Sequence, residues 1–510
     1  MKTNYFNRVV LVLSLALSTL SCQPEQQKPP NVLLIITDDL GWTDLGAYGS
    51  KFYETPYLDQ LAADGMLFTN GYANCPVCSP SRASFQTGKY ALKTGVTDWI
   101  KGRKAYTGPT PNDRWIVPDT KFQLDSAETT LAEVLGQNGY KTIFTGKWHL
   151  GEEEKFWPEK QGYDTNIGGW RRGAPLKDIK NGYHGYFSPY GNPRLPDGVP
   201  GEYLPDRLTT ETIEAIEANK QHPLFICLSY YLVHTPLQAP EGLIEKYTNK
   251  KYLLGLDTLN EFNYDQPWMP FATGKAHRYR ERLIQSNPVY AAMIESLDTN
   301  IGRLITYLKD NDLYDNTLIV FTSDNGGLST AEGSPTSNLP LRAGKGWLYE
   351  GGIRVPFIVR DPGSDQKGVK RSWPVTGADI FPTVLKYAGI VSKFPEVDGI
   401  DLLDDAGAAE TKHRPLFWHY PHYANQGGNP GSVIRLGDYK LIHDLETGRK
   451  ELYDLSKDIG ESQNIYGTNP EVEAQLEDLL NSWLKDHDTK PLLPNPAWNG
   501  LETVVDHPIN

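Results

Sequence analysis

Four apolar runs, at residues 31–36, 141–145, 224–229 and 317–322, each lead into residues that carry chemistry. Their length and composition are those of strands buried on both faces. The first halts at Thr37-Asp38-Asp39, the second at Lys147 and His149, the third shortly before His234, and the fourth at Asp324-Asn325. Between them the apolar period changes to that of helices. Thr55 stands as an N-cap before Pro56, Leu58, Leu61 and Ala62 share one face, and Gly65 ends the segment. Leu131, Val134 and Leu135 make a second stripe closed by Gly139, and residues 290–308 form a long amphipathic stretch. Strands alternating with helices predict an α/β fold, a large mostly parallel sheet flanked by helices, whose ligand site lies beyond the carboxyl ends of the strands.

From about Pro415 the rhythm shortens. Residues 431–441 and 450–455 alternate as short strands with a turn at Thr447-Gly448, and residues 471–484 read as an amphipathic helix. A main body over residues 31–410 and a smaller C-terminal α+β subdomain over 411–510 are expected. At the other end, Lys2 and Arg8 precede an apolar run at 9–17, too short for a bilayer span and suited to a secretory signal over residues 1–21. Thr19-Leu20-Ser21-Cys22 is similar to the cleavage site of bacterial lipoproteins, in which the cysteine is lipidated. Residues 22–30, polar and Pro-rich, then act as a tether. The expectation is an exported protein of the cell envelope, in the periplasm, touching the membrane only through Cys22.

Composition narrows the function. A chain of 510 residues with 39% hydrophobic content can bury a large core, and a net charge of -13 repels nucleic acid and other polyanions from the surface as a whole. An anionic substrate would need a local cluster of positive charge. Beyond Cys22 only Cys75, Cys78 and Cys227 remain, too few for a disulfide framework.

Asp38, Asp39, Asp324 and Asn325 offer only oxygen ligands, the choice of hard divalent cations such as Ca²⁺ or Mg²⁺, and no matching His and Cys set favours zinc. Alone, each acidic pair is more often a helix cap, a solvated turn or an Asx-turn than a metal site. Cys75 and Cys78 form a C-x-x-C run, but no second pair completes a zinc site, and Ser79-Pro80-Ser81-Arg82 after it looks like a helix start. Residue 78 would then sit where backbone N–H groups favour a negative ligand, with Arg82 on the same helical face.

The run Cys78-x-Pro80-Ser81-Arg82 followed by Thr87-Gly88 resembles the signature of the formylglycine-dependent sulfatases, members of the alkaline phosphatase-like superfamily. Thr37-Asp38-Asp39-Leu40-Gly41, Gly146-Lys147-Trp148-His149, His234-Thr235-Pro236, Ser323-Asp324-Asn325-Gly326 and Gly344-Lys345 stand in that family's order. The resemblance implies that a maturation enzyme oxidises Cys78 to formylglycine, whose hydrated aldehyde attacks sulfur from a Ca²⁺ (or Mg²⁺) bound by Asp38, Asp39, Asp324 and Asn325 together with residue 78. It further implies His234 as general acid with Lys345 beside it, His149 as the base that releases sulfate, and Arg82 and Lys147 as cations for the sulfonyl oxygens. A phosphatase of the same superfamily would instead carry Ser or Thr as nucleophile and a second metal set. The expected substrate is a sulfated carbohydrate, a galactose or N-acetylgalactosamine sulfate. Trp418, His419 and His422 in the aromatic run 417–423, with Trp170, Arg171 and Arg172, are the expected sugar contacts.

Overall fold

The computed structural model describes residues 29–102, 108–264, 280–391, 394–403 and 413–500. The expected signal peptide, Cys22 and the boundary between residues 410 and 411 lie outside the described residues. In chain order the elements that frame the site are β1 (Asn31–Thr37), α1 (Pro56–Asp64), β2 (Met66–Phe68), α2 (Cys78–Thr87), α3 (Leu131–Gln137), β3 (Lys141–Gly146), β4 (Thr165–Ile167), α4 (Leu204–Asn219), β5 (Leu224–Ser229), α5 (Glu241–Leu253), α6 (Pro288–Asp310), β6 (Thr317–Ser323), β7 (Phe357–Arg360), β8 (Val369–Arg371) and α7 (Ile380–Tyr387). After them come β9 (Leu416–Tyr420), β10 (Gly431–Leu436), β11 (Tyr439–Asp444), β12 (Lys450–Asp454) and α8 (Pro470–Asp486).

The eight-stranded sheet runs β8-β2-β7-β6-β1-β5-β3-β4. Its pairs are parallel except at β7, which lies antiparallel between β6 and β2. Alternation along each strand feeds two separate cores. Val32, Leu34 and Ile36 pack with Phe85 of α2, Leu135 of α3 and Ile380 of α7. Leu33 and Ile35 pack on the opposite face with Leu58 of α1, Leu208 of α4 and Ile301 of α6. Burial on both faces explains why these strands read as unbroken apolar runs.

Register sets the site. Thr37 pairs with Ser323, Ile36 with Ser229, and Gly146 with Ser229, so β1, β6, β5 and β3 end level with one another. The residues that follow each strand are brought together at one edge of the sheet.

Two local expectations are corrected. Thr55 precedes α1 but makes no capping bond; its hydroxyl pairs with Asp59, and Asp298 of α6 accepts from the N–H groups of Tyr57 and Leu58 at 3.1 and 2.8 Å. Residues 431–441 are not one strand but a hairpin, since Gly437 with φ of 58° turns the chain between β10 and β11. The C-terminal sheet, β9-β10-β11-β12, is antiparallel and carries α8 on Phe417, Ile434, Leu441 and Leu452, the small α+β unit expected.

Candidate active site

Each strand end delivers its polar residues into one buried cluster. Lys147, after β3, sets Nζ 2.7 Å from Asp38 Oδ2, after β1. Arg82, one turn into α2, places Nε and Nη2 each 2.8 Å from Asp324 Oδ2, after β6. Its Nη1 donates to the Lys147 carbonyl at 2.9 Å and to Ser229 Oγ at 2.6 Å, tying α2 to β3 and β5. Lys345 Nζ lies 2.7 Å from Asp39 Oδ1, and Asn325 Nδ2 donates to the same oxygen at 2.8 Å. Three carboxylates thus face three basic side chains, and removing either partner of such a buried pair leaves an uncompensated charge.

Cys78 opens α2 as its first residue, with Val77 as cap in extended backbone. Its Sγ lies 3.4 Å from His149 Nδ1. Ser79 Oγ is 3.2 Å from the same nitrogen and accepts from the Ile100 N–H at 3.0 Å, so its own proton is free to point at the imidazole. His234 Nδ1 meets the Thr235 carbonyl at 2.7 Å; a carbonyl only accepts, so Nδ1 carries a proton. Its Nε2 is turned inward, 3.7 Å from Asp39 Oδ2.

The backbone is bent to make this fit. Asp39 and His149 adopt φ of 62° and 56°, the left-handed region that costs a β-carbon residue about 1–2 kcal/mol. Gly146, at φ of 98°, has no room for a side chain, since a Cβ there would lie 2.0 Å from the Ser229 carbonyl. Gly173 lies against the imidazole of His149, where a Cβ would come within 2.4 Å of the ring.

Burial and charge tune the groups in different directions. Burial pushes Asp38 up to about 6 although Lys147 pulls it down. At Asp39 burial acts the same way, but Lys345, His234 and Lys147 together outweigh it and hold the carboxyl below its ordinary range. Burial, then Lys147 and Arg82, push His149 well below the usual imidazole value, so it stands neutral. Burial raises the Cys78 thiol against the pull of Lys147 and Lys345. A free thiol there is protonated and a poor nucleophile.

Two buried oxygens, Asp38 Oδ1 and Asn325 Oδ1, have no hydrogen-bond partner among the described residues. Asp38, Asp39 and His234 bring ligand atoms within 4.8 Å of one another, the single such group among the described residues. Unpartnered buried oxygens beside two carboxylates fit a hard divalent cation. Asp324 is held on both oxygens, by Arg82 and by the Asp39 N–H at 3.2 Å.

Above the cluster lies a cleft of about 320 Å³. Cys78, His149, His234 and Lys345 reach its base, and Trp99, Lys101, Glu152, Arg171, Arg172, Glu332 and Gln426 form its walls. Of the six expected sugar contacts, Arg171 and Arg172 line this cleft and the other four do not. Trp418 is buried in β9, its indole N–H donating to the Ala73 carbonyl at 2.8 Å, because alternate residues of that strand face the core. His419, on the other face, meets Ser432 Oγ at 2.8 Å, and burial lowers it to about 4. His422 bonds Thr97 Oγ1 at 2.9 Å beside a separate small cavity with Trp115 and Tyr423. Trp170 is buried behind Arg171 and Arg172, its carbonyl accepting from the His149 N–H. Sequence reasoning passed over Ser79, Ser229, Glu332 and Gln426; Ser79 lay inside the quoted motif, whereas Glu332 and Gln426 sit on aperiodic loops that give no signal.

Fold and cluster together define a hydrolase of the alkaline phosphatase-like superfamily that acts on an anionic ester. Residues 30–390 match the family model described as Sulfatase, and residues 343–488 the model described as N-sulphoglucosamine sulphohydrolase, C-terminal. The chain belongs to the sulfatase family and is a sulfuric ester hydrolase. It is 30% identical over 493 residues to the N-acetylgalactosamine-6-sulfatase of Canis lupus familiaris, covering 92% of this chain and 81% of that protein. A sulfatase of Formosa agariphila is 29% identical over 94% of this chain and 93% of its own. Among solved structures, Ps i-CgsB in complex with k-i-k-neocarrahexaose superposes with a TM-score of 0.70 at 26% identity, covering 90% of this chain and 94% of that one.

Proposed function

We propose that this sulfatase removes O-sulfate from a carbohydrate, a galactose or N-acetylgalactosamine sulfate, through a formylglycine made from Cys78 and a divalent cation held by Asp38, Asp39, Asp324 and Asn325. The observation that carries the reading is the meeting of Cys78, at a helix N-terminus, with three cations and two unpartnered buried oxygens under an open cleft. Support for the sugar comes from the relatives, since the canine protein is named for N-acetylgalactosamine 6-sulfate and Ps i-CgsB was solved with an oligosaccharide. Ca²⁺, or Mg²⁺, suits the all-oxygen set and supplies a positive field for an ionised oxygen nucleophile. Formylglycine, installed by a maturation enzyme, supplies a hydroxyl nucleophile where the buried thiol is a poor one.

The chain's own groups do the rest. The N-terminus of α2 orients residue 78 and favours negative charge in front of it. Arg82, Lys147 and Lys345 hold the charge that moves onto the sulfonyl oxygens, and their carboxylate partners keep them in place before substrate arrives. His234 gives the proton on Nε2 to the departing sugar oxygen, with Nδ1 fixed by the Thr235 carbonyl. His149, neutral and beside residue 78, takes a proton from that side chain to release sulfate. We propose also that the chain is exported to the periplasm and lipidated at Cys22, which labelling with a radioactive fatty acid tests.

The mass of the peptide bearing residue 78, from enzyme made in its own host, is the first test: a peptide lighter than the cysteine form is expected. Inorganic sulfate should be released from a panel of sulfated sugars by wild type and not by a folded Cys78→Ala. An unmodified thiol throughout fully active enzyme overturns the formylglycine reading, and release of phosphate alone favours the phosphatase reading instead.

A further inference from the structure

The walls of the cleft differ in charge. On one side stand Lys101, Arg171 and Arg172 with a single carboxylate, Glu152, whose Oε2 lies 2.8 Å from Lys101 Nζ and 3.8 Å from Arg171 Nη1. Arg172 has no carboxylate within ion-pair reach among the described residues, and its buried Nε has no hydrogen-bond partner. On the other side Gln426 donates to Glu332 Oε1 at 2.6 Å, and the buried Gln426 Oε1 has no donor among the described residues. In a chain of net charge -13, three cations with one counter-ion at a cleft mouth are out of keeping with the surface around them. Withdrawing a guanidinium N–H from water with nothing to bond is unfavourable unless a ligand supplies the acceptor. The ring of Trp170 lies behind both guanidinium groups, its centroid 5.7 Å from Arg171 and 6.0 Å from Arg172, which restricts their swing. Arg172 also precedes Gly173, whose backbone rests on the His149 imidazole, so this wall stands directly beside the reacting centre.

We propose that Lys101, Arg171 and Arg172 form a second anion subsite that holds an oxyanion other than the one being cleaved, borne on the same or the neighbouring sugar. The subsite rests on the reading of this cleft as the site of a carbohydrate sulfatase, and it narrows the substrate class to glycans with at least two acidic groups. Arg172 pairs with that oxyanion through its planar fork of donors, while Lys101 and Arg171, shared with Glu152, supply charge around it. A second sulfate and a uronic carboxylate present the same chemistry to this wall.

Three oligosaccharides of one backbone separate the outcomes: one with a single cleavable sulfate, one with a further sulfate, and one with a uronate beside the sulfated sugar. Wild-type mature enzyme should show a higher kcat/KM on one of the doubly acidic substrates, and which one identifies the oxyanion. Arg172→Gln should lower kcat/KM on that substrate by roughly ten- to a hundredfold more than on the singly sulfated one, the range for losing a hydrogen bond to a charged group. The Lys101→Gln/Arg171→Gln double variant, lying further out, should show the same selectivity with a smaller loss, and unfolding midpoints of both should stay near wild type. Equal loss on all three substrates overturns the proposal, since Arg172 would then serve the scissile sulfate. Wild-type preference for the singly sulfated substrate overturns it as well. If wild type releases sulfate from none of the three but does so from a non-carbohydrate aryl sulfate, the carbohydrate reading fails and the subsite with it.

Discussion

At the scale of single residues the site depends on groups held in states they would not adopt in water. Asp39 and His149 accept left-handed backbone, and Asp38 and His149 accept shifted protonation, because the strand ends leave no other arrangement. Asp98 shows the same effect just outside the chemistry. It precedes the cleft residues Trp99 and Lys101, and its Oδ1 accepts from the Trp99 N–H at 2.9 Å and the Tyr420 hydroxyl at 2.8 Å. Burial nevertheless pushes its pKa from 3.8 up to about 7. Between those values the folded state binds the proton that the unfolded chain has released. Asp98 therefore contributes fully at pH below its unfolded value, and that contribution is lost as pH rises toward 7. Asp98→Asn keeps the acceptor oxygen and both bonds while removing the titration. Chemical unfolding at several pH values should show the variant gaining on wild type by on the order of 1–3 kcal/mol across this window, and parallel stability curves would count against the assignment.

At the scale of elements, α2 is the piece that turns four strand ends into a site, and its start is pinned by one hydroxyl. Ser81 Oγ accepts from the Cys75 N–H and donates to the Cys75 carbonyl, both at 3.0 Å, closing the turn that aims Cys78. Ser81→Ala leaves both backbone groups buried without that partner, a loss of about 1–3 kcal/mol that the denaturant midpoint should register. A midpoint unchanged from wild type would mean the turn holds without it. Much of this element-level plan was legible in the sequence, because strands buried on both faces leave long apolar runs and because the left-handed and close-packed positions select short motifs such as Gly146-Lys147-Trp148-His149. The illegible parts share a physical cause, which is dependence on partners distant in sequence. Asp298 caps α1 from 240 residues away along the chain. Trp418 reads as a sugar platform by composition, yet pleat direction within β9 decides that it faces Tyr72 and the core. β7 enters the sheet antiparallel, a reversal that so short a strand does not encode.

At the scale of the whole molecule, the C-terminal sheet is bound to the catalytic body by buried charge as well as by apolar contact. Lys440 of β11 sets Nζ 2.9 Å from Glu350 Oε1 and 2.8 Å from Glu461 Oε1, and all three side chains are fully buried. Glu461 in turn accepts from the Glu350 N–H at 2.7 Å, and its own carbonyl accepts from Arg342 at 2.7 Å. Glu350 and Arg342 flank the loop that presents Lys345 to Asp39, so the C-terminal unit braces a charged group of the site. The two acids do not depend on Lys440 equally. Glu350 keeps Arg354 at 2.9 Å, whereas Glu461 has no other cation in ion-pair range among the described residues. Burial already lifts Glu461 to about 7 against the pull of Lys440. Lys440→Met should therefore destabilise by about 3–5 kcal/mol, the range for stranding one member of a buried ion pair. Adding Glu461→Gln, which keeps the shape and removes the stranded charge, should recover a substantial part of that loss. Urea unfolding of the two single variants and the double closes the cycle, and sulfate release measured alongside shows whether Lys345 follows its brace. A Lys440→Met protein within 1 kcal/mol of wild type, or a double variant no better than the single, would show that apolar packing alone fixes the C-terminal sheet to the body.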